Sequence, residues 1–470
     1  MKYSVLIASV TCSLLLSSVS HAKNVILFLG DGMGVSTVTA ARIFAGQQKG
    51  LDGEEYDLAF DRFENLALVK TYNTDAQVPD SAGTISAIVT GQKTRMGVLS
   101  VTADVPRGDC VKALKHELPT ILQLAESAGY ASGIISTARI THATPAGTYA
   151  HSPDRNWENS SEMTDEQRAF GCKDIARQLI DMDHGDGIDV ILGGGRAQFY
   201  PEGTTDPEYA DKTGARDDGE NLVQAWLDKA NNRVYAWNQE GFENFDVDPD
   251  KQYMALFEPS HMQFEADRPR DPGGEPSVAE MTAFAIKRLQ SNKKGYFLLV
   301  ESGRIDHAHH FSNAYRALSD TVAMSDAVAA ALQLVDLEET LILVTADHSH
   351  TMTISGYPPR GNPILGKVPQ PEDPSYRIEG ALPYTTLSYA NGPGYQETLP
   401  DLSDVDTTAL NYQQLGTVPL PSETHGGEDV AAFATGKNAA AVRGMMEQNK
   451  LFDVMISALF DDNEKDRKTK

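Results

Sequence analysis

The sequence predicts an α/β protein built on a doubly wound, mostly parallel central sheet flanked by helices. Short apolar-cored runs bounded by turn residues recur at 25–29, 132–136, 188–192, 296–300 and 341–346, and runs of that length read as buried parallel strands. Helix-length segments lie between them, supplying the crossovers that parallel pairs need. A third observation locates a site: three of the runs end in an acid, Asp31, Glu301 and Asp347. Ligands of open α/β sheets bind beyond the carboxyl ends of the strands, so these acids are expected to converge.

The elements follow in chain order. Residues 1–22 read as a secretory leader, with Lys2 at the start, a largely apolar stretch over 5–16, and Ser20, His21 and Ala22 where cleavage is expected. The apolar stretch is too short to span a bilayer comfortably, and no second one of spanning length follows. The charged end, 461–470, does not fit a lipid-anchor signal. An exported protein, periplasmic or secreted, without a membrane anchor is expected. Cys12 falls in the leader. Cys110 and Cys172 remain, and in an oxidising compartment a disulfide between them is the default, against two buried thiols. Closing that loop is worth about 4 kcal/mol.

Asp80-Ser81-Ala82-Gly83-Thr84 opens a helix-compatible stretch ending near Gly91, which puts Ser81 at a helix N-terminus where free N–H groups favour an anion. A serine there is commonly only a cap. As a nucleophile it needs an activator, and without a G-x-S-x-G elbow a metal is the natural one. A helix at 119–128 precedes the run at 132–136. Gly193-Gly194-Gly195, after 188–192, does not fit a dinucleotide fingerprint and reads as a tight turn. Residues 196–275 are acidic and turn-rich and read as an insertion holding one helix at 221–229. A helix at 317–335 joins the second and third acid-tipped strands. Residues 355–422, rich in Pro and Gly, read as a second insertion.

Histidines follow two of the acids: His307, His309 and His310 after Glu301, and His348 and His350 after Asp347. A lone acid after a strand is commonly a cap or turn residue, but three with attendant imidazoles suggest a multi-metal site. Asp306 and His310, four apart, share one face of a helical turn, and Asp347-His348 offers a second oxygen–nitrogen pair for zinc. If Asp31, Glu301, Asp306, Asp347 and Arg155 share a pocket, its charge is about −3, which repels phosphate. Three divalent cations invert it to about +3. The chain as a whole carries −26, which argues against a nucleic-acid partner. Its 41% hydrophobic content suffices for a large core and argues against disorder.

Six blocks in order resemble alkaline phosphatase: Phe28 to Gly34, Val78 to Thr84, Thr141 to His151, Val300 to His307, Thr345 to His350 and Glu423 to Asp429. The likeness covers nearly the whole chain after the leader. It implies that Ser81 is the nucleophile that becomes phosphoserine and that Arg155 grips two phosphate oxygens, a task suited to guanidinium. It implies two Zn²⁺ ions, one on Asp306, His310 and His425, the other on Asp31, Asp347 and His348. It implies one Mg²⁺ on Asp31, Thr144 and Glu301. His142 and His307 match the animal-type pattern, beside the magnesium and beside a zinc and the phosphate respectively. Cys110 and Cys172 coincide with a disulfide of the animal enzymes. Glu208, Phe257, Glu258 and Glu275 resemble parts of their calcium site, making 196–275 a metal-stapled insertion. Residues 355–422 resemble a shortened crown insertion of the kind found at the family's dimer interface. Two departures stand out: the N-terminal helical arm of the animal enzymes is missing before Val25, and Ser302 replaces a glycine. A homodimer is nevertheless expected.

The expected activity is metal-dependent hydrolysis of small phosphate monoesters through a phosphoserine, in one domain over 23–470. The alternatives are a phosphodiesterase or sulfatase-like hydrolase of the same superfamily, which would carry Thr at the nucleophile or a C/S-x-P-x-R motif, and an exported metal- or phosphate-binding protein. Ser81-Ala82-Gly83-Thr84 fits neither rival hydrolase.

Overall fold

The computed structural model describes residues 24–369 and 380–460, so the leader expected over 1–22 lies outside the described residues. Among them ten strands form the main sheet: β1 (Asn24–Gly30), β2 (Asn65–Lys70), β3 (Ala131–Arg139), β4 (Val190–Gly194), β5 (Arg233–Ala236), β6 (Gln252–Leu256), β7 (Tyr296–Ser302), β8 (Thr340–Ala346), β9 (Val430–Gly436) and β10 (Gly444–Glu447). Their spatial order is β10-β2-β9-β8-β1-β7-β3-β4-β6-β5. Every neighbouring pair is parallel except those made by β9, which runs antiparallel to β8 and β2.

The central strands are apolar because both sheet faces are covered. Helices Val35–Gln48, Val278–Leu289 and Ala314–Leu334 pack together as one group, and Ser81–Thr90, Ile121–Ser127 and Lys450–Leu459 as another; both groups touch β1. Val25 to Leu29, Tyr296 to Val300 and Leu341 to Val344 are fully buried. Each large aliphatic or aromatic side chain among them contributes about 1.5–3 kcal/mol by leaving water.

The register then places the site. Leu29 pairs with Glu301 on one side and Thr345 on the other, and Gly30 with Ser302 and Ala346. Three adjacent strands therefore end at one level, and Asp31, Glu301 and Asp347 emerge together as expected.

The helix expected at 119–128 spans Ile121–Ser127, started by a Thr120–Gln123 capping box. That at 317–335 begins earlier, at Ala314, because the Asn313 side chain accepts from the Arg316 N–H and caps it. The triple glycine is not all turn. Gly193 and Gly194 finish β4, and only Gly195 (φ 100°) turns. A Cβ at Gly193 would stand 2.7 Å from the Ser136 oxygen, and one at Gly194 would stand 2.3 Å from that of Ser260, so these glycines admit a neighbouring backbone. The stretch 196–275 supplies β5 and β6, extending the main sheet. Within 355–422 the described residues give strands Leu387–Gly392 and Gly416–Pro419, which join Met352–Ile354 in a three-stranded sheet. Cys110 and Cys172 are disulfide-bonded, their Cα atoms 5.9 Å apart.

Candidate metal centre and catalytic site

Ser81 is the first residue of its helix, and Asp80 is the N-cap. One Asp80 oxygen accepts from Gly83 N and Asn73 Nδ2, both at 3.0 Å; the other accepts from Gly97 N at 3.0 Å and Arg155 Nη1 at 3.1 Å. Burial acts to raise the Asp80 carboxyl, but Arg155 and the two N–H groups outweigh it and hold it low. The cap thus fixes the helix start and the arginine together. Ser81 Oγ lies 3.2 Å from His348 Nε2 and 3.5 Å from Asp31 Oδ1.

Asp347 Oδ1 accepts from Gly32 N and His348 N, at 3.0 and 2.9 Å. Its other oxygen and Asp31 Oδ1 lie 3.3 and 3.4 Å from His348 Nε2. Asp31, Asp347 and His348 therefore form one buried donor set. The second set centres on Asp306 Oδ1, 3.4 Å from His310 Nε2 and 3.3 Å from His425 Nε2.

The tautomers favour metal in both sets. His310 Nδ1 faces the Glu423 carbonyl at 2.5 Å, His425 Nδ1 that of Pro79 at 2.8 Å, and His348 Nδ1 that of Ser349 at 3.2 Å. A carbonyl can only accept, so each Nδ1 carries the proton and each Nε2 presents a lone pair to the carboxylates. Burial pushes His348 and His310 down, keeping both neutral.

His350 differs, although it lies close enough to count as a donor. Its Nε2 is 2.8 Å from Asp306 Oδ1 and its Nδ1 2.6 Å from Glu423 Oε2. Burial works against its charge, but Glu423 and Asp306 overcome it and push the imidazole up to about 10. With both ring nitrogens engaged by carboxylates, it orients Asp306. Asp306 in turn is held well below the usual carboxylate range: burial raises it, and the bond from His350 works the other way.

A third set lies on the far side of Asp31. Asp31 Oδ2, Thr144 Oγ1, Glu301 Oε1 and His142 Nδ1 are buried polar atoms without a hydrogen-bond partner. Asp31, His142 and Glu301 can bring ligand atoms within 4.8 Å of one another. Ser136 Oγ donates to the other Glu301 oxygen. Burial, then the neighbouring acids, pushes Asp31 well up, and burial pushes Glu301 to about 8. Orphaned oxygens in a crowd of acids are what a hard cation relieves. The residues present fit metal at all three sets.

Arg155 spans Asp80 and His142, with Nη2 3.2 Å from His142 Nε2. His307 joins no donor set; Arg304 Nη1 faces its Nδ1 at 3.2 Å, and its ring stands 4.0 Å from that of His261 and 5.4 Å from that of His142. Outside this centre, Glu208, Glu258 and Asp271 bring oxygens within 4.8 Å of one another. Glu275 stands beside them, pushed to about 9 by burial and then by Asp271 and Glu258, while Phe257 O accepts from Arg196 at 2.6 Å.

Sequence reasoning left His350 and His309 without a role and did not single out Glu423, His261 or Asp271. Glu423, two positions before His425, was the most accessible signal. His309 is structural: fully buried, it bonds Thr37 at 3.0 Å and Tyr389 at 2.8 Å.

A profile of the alkaline phosphatase family matches residues 22–460. The tissue-nonspecific alkaline phosphatase isozyme of Gallus gallus is 47% identical over 446 residues, covering 93% of this chain and 84% of that one. Among solved structures, alkaline phosphatase of Thermus thermophilus superposes with a TM-score of 0.67 at 22% identity, covering 96% of each chain. A mutant of the alkaline phosphatase of the Antarctic bacterium TAB5, with Mg bound in its M3 site, gives 0.62 at 20% identity, covering 94% of this chain and 98% of that one. The last two likenesses speak to the fold.

Proposed function

The chain belongs to the alkaline phosphatase family and hydrolyses phosphate monoesters, and we propose that it does so through a phosphoserine formed on Ser81. The observation that carries this reading is the position of Ser81 Oγ, at a helix N-terminus and 3.2 Å from His348 Nε2.

The donor sets suit two zinc ions, one on Asp306, His310 and His425 and one on Asp31, Asp347 and His348, and a magnesium ion on Asp31, Thr144 and Glu301; bound there, they supply Lewis-acid polarisation and positive charge. The remaining work belongs to the chain. Arg155, whose Nη1 donates to Asp80 and whose Nη2 faces His142 Nε2, has remaining N–H groups to offer the phosphoryl oxygens. The Ser81 helix directs N–H groups at the same charge. Ser81 Oγ, having lost its proton, attacks phosphorus, and the ester oxygen departs with its alcohol. Water then cleaves the new phosphorus–oxygen bond, releasing phosphate and restoring the serine. Because Arg155 donates to His142 Nε2, the neutral imidazole carries its proton on Nδ1. In that tautomer the His142 Nδ1, grouped with Asp31 and Glu301, is not a direct ligand.

Glu208, Glu258 and Asp271 suit a calcium ion, with Glu275 and the Phe257 segment as their support. The leader-like N-terminus and the disulfide support an exported enzyme, and no helix among the described residues is long and apolar enough to cross a membrane. The family likeness supports a homodimer.

The test is hydrolysis of phenyl phosphate at alkaline pH by wild type and Ser81→Ala, each after chelation and after return of Zn²⁺ and Mg²⁺. Activity requiring both serine and metals supports the reading. No turnover by the metallated wild type overturns it.

A further inference from the structure

A cavity of about 420 Å³ opens where the segment 263–267, the turn after helix Arg304–His310 and residues 411–413 meet. Arg304 reaches it from the helix that carries Asp306 and His310. Its guanidinium carbon sits 3.7 Å from the Phe264 ring centroid. Its Nε is buried without a hydrogen-bond partner. Among the described residues no carboxylate comes within 4.0 Å of it, whereas Arg316, which also lines the cavity, is neutralised by Asp267 at 2.6 Å. Asp320, Glu275 and Asp267 act on the Arg304 charge from beyond 4.0 Å, so the cavity holds a guanidinium without a direct carboxylate partner. A buried charge without a partner is costly, and an anion entering the cavity would relieve that cost.

The cavity is linked to the phosphate-gripping arginine by a line of side chains. Arg155 Nη2 is 3.2 Å from His142, the His142 ring is 5.4 Å from that of His307, and His307 Nδ1 is 3.2 Å from Arg304. Phe311, 54% exposed at the end of the same helix, stands edge-on to Phe264 at 6.4 Å and supplies an apolar wall.

We propose that this cavity is a second anion subsite, which favours phosphomonoesters whose leaving group carries another anionic group on an apolar spacer. The proposal rests on the phosphomonoesterase reading above. The second anion is a phosphate or a carboxylate, and both offer the paired oxygens a guanidinium binds in fork geometry.

The test compares kcat/KM for bisphosphates of linear diols, from propanediol to decanediol, with that for the matching hydroxyalkyl monophosphates. A parallel arm uses carboxyalkyl phosphates of the same lengths. Beyond the twofold statistical advantage of a bisphosphate, a preference of about tenfold, carried by KM, is expected at a favoured length, equivalent to about 1.4 kcal/mol. Preference in either arm supports the subsite and identifies its anion. The preference is expected to vanish in Arg304→Gln and to survive in part in Arg304→Lys. A wild type that shows no preference at any length in either arm overturns the subsite without recourse to a variant, and so does a preference that persists in Arg304→Gln. Failure to hydrolyse even the hydroxyalkyl phosphates would instead overturn the phosphomonoesterase reading.

Discussion

His350 and Glu423, 73 positions apart in sequence, are joined at 2.6 Å, and the opposite ring nitrogen of His350 holds Asp306 at 2.8 Å. The imidazolium thus ties a carboxylate in the donor set to one outside it. Glu423 is itself anchored: its other oxygen accepts from Thr351 N at 2.7 Å and Thr351 Oγ1 at 2.6 Å. Glu423→Gln removes the charge that keeps His350 protonated, and His350→Ala removes the tie altogether. Outer-shell changes of this kind cost about 10–100-fold in metal affinity or activity. Zinc content after dialysis, read beside kcat/KM, is expected to fall in both variants. Full zinc retention by His350→Ala would contradict the role given to it.

At Gly32 the backbone passes close to that relay. Its φ of 67° is left-handed, and a Cβ there would stand 2.3 Å from His350 Cδ2. His350 cannot swing aside without breaking both carboxylate bonds. Gly32→Ala is therefore expected to lower kcat/KM about 100-fold, the scale of a misplaced catalytic group. Fold stability is expected to change far less, which urea unfolding checks.

Glu126 gives a pH test away from the catalytic centre. Both its oxygens are buried without hydrogen-bond partners, and burial pushes the carboxyl from 4.5 up to about 9. A folded-state pKa raised above the unfolded one means stability that is fully present below about 4.5 and lost as pH rises toward about 9. Glu126→Gln removes that slope. Urea unfolding at pH 5 and pH 9 is expected to show the variant gaining on wild type at the higher pH, by on the order of 1 kcal/mol or more. Equal pH slopes in the two proteins would contradict the buried, protonated carboxyl.

What was legible in the sequence follows from what is local. Three apolar runs ending in acids suffice to bring Asp31, Glu301 and Asp347 together, because parallel strands in register end at one level. The i, i+4 pair Asp306 and His310 is a property of one helical turn. His425 was reached only through the family likeness, since its partners Asp306 and Pro79 are far away in sequence. The charge of His350 was not legible at all, because it depends on Glu423 crossing from another segment. Asp271 was passed over in favour of Glu275, as both lie in one acidic, turn-rich stretch and only the folded loop shows which carboxylate faces Glu208 and Glu258. The glycines of β4 read as a turn because close backbone approach leaves no periodic signal.

The central claim is the covalent bond between phosphorus and Ser81. Wild-type enzyme mixed with labelled phenyl phosphate, quenched in acid within a turnover and digested, is expected to yield the label on the peptide containing Ser81, and Ser81→Ala to yield none. Label on another residue, or undiminished turnover by Ser81→Ala, would contradict the account.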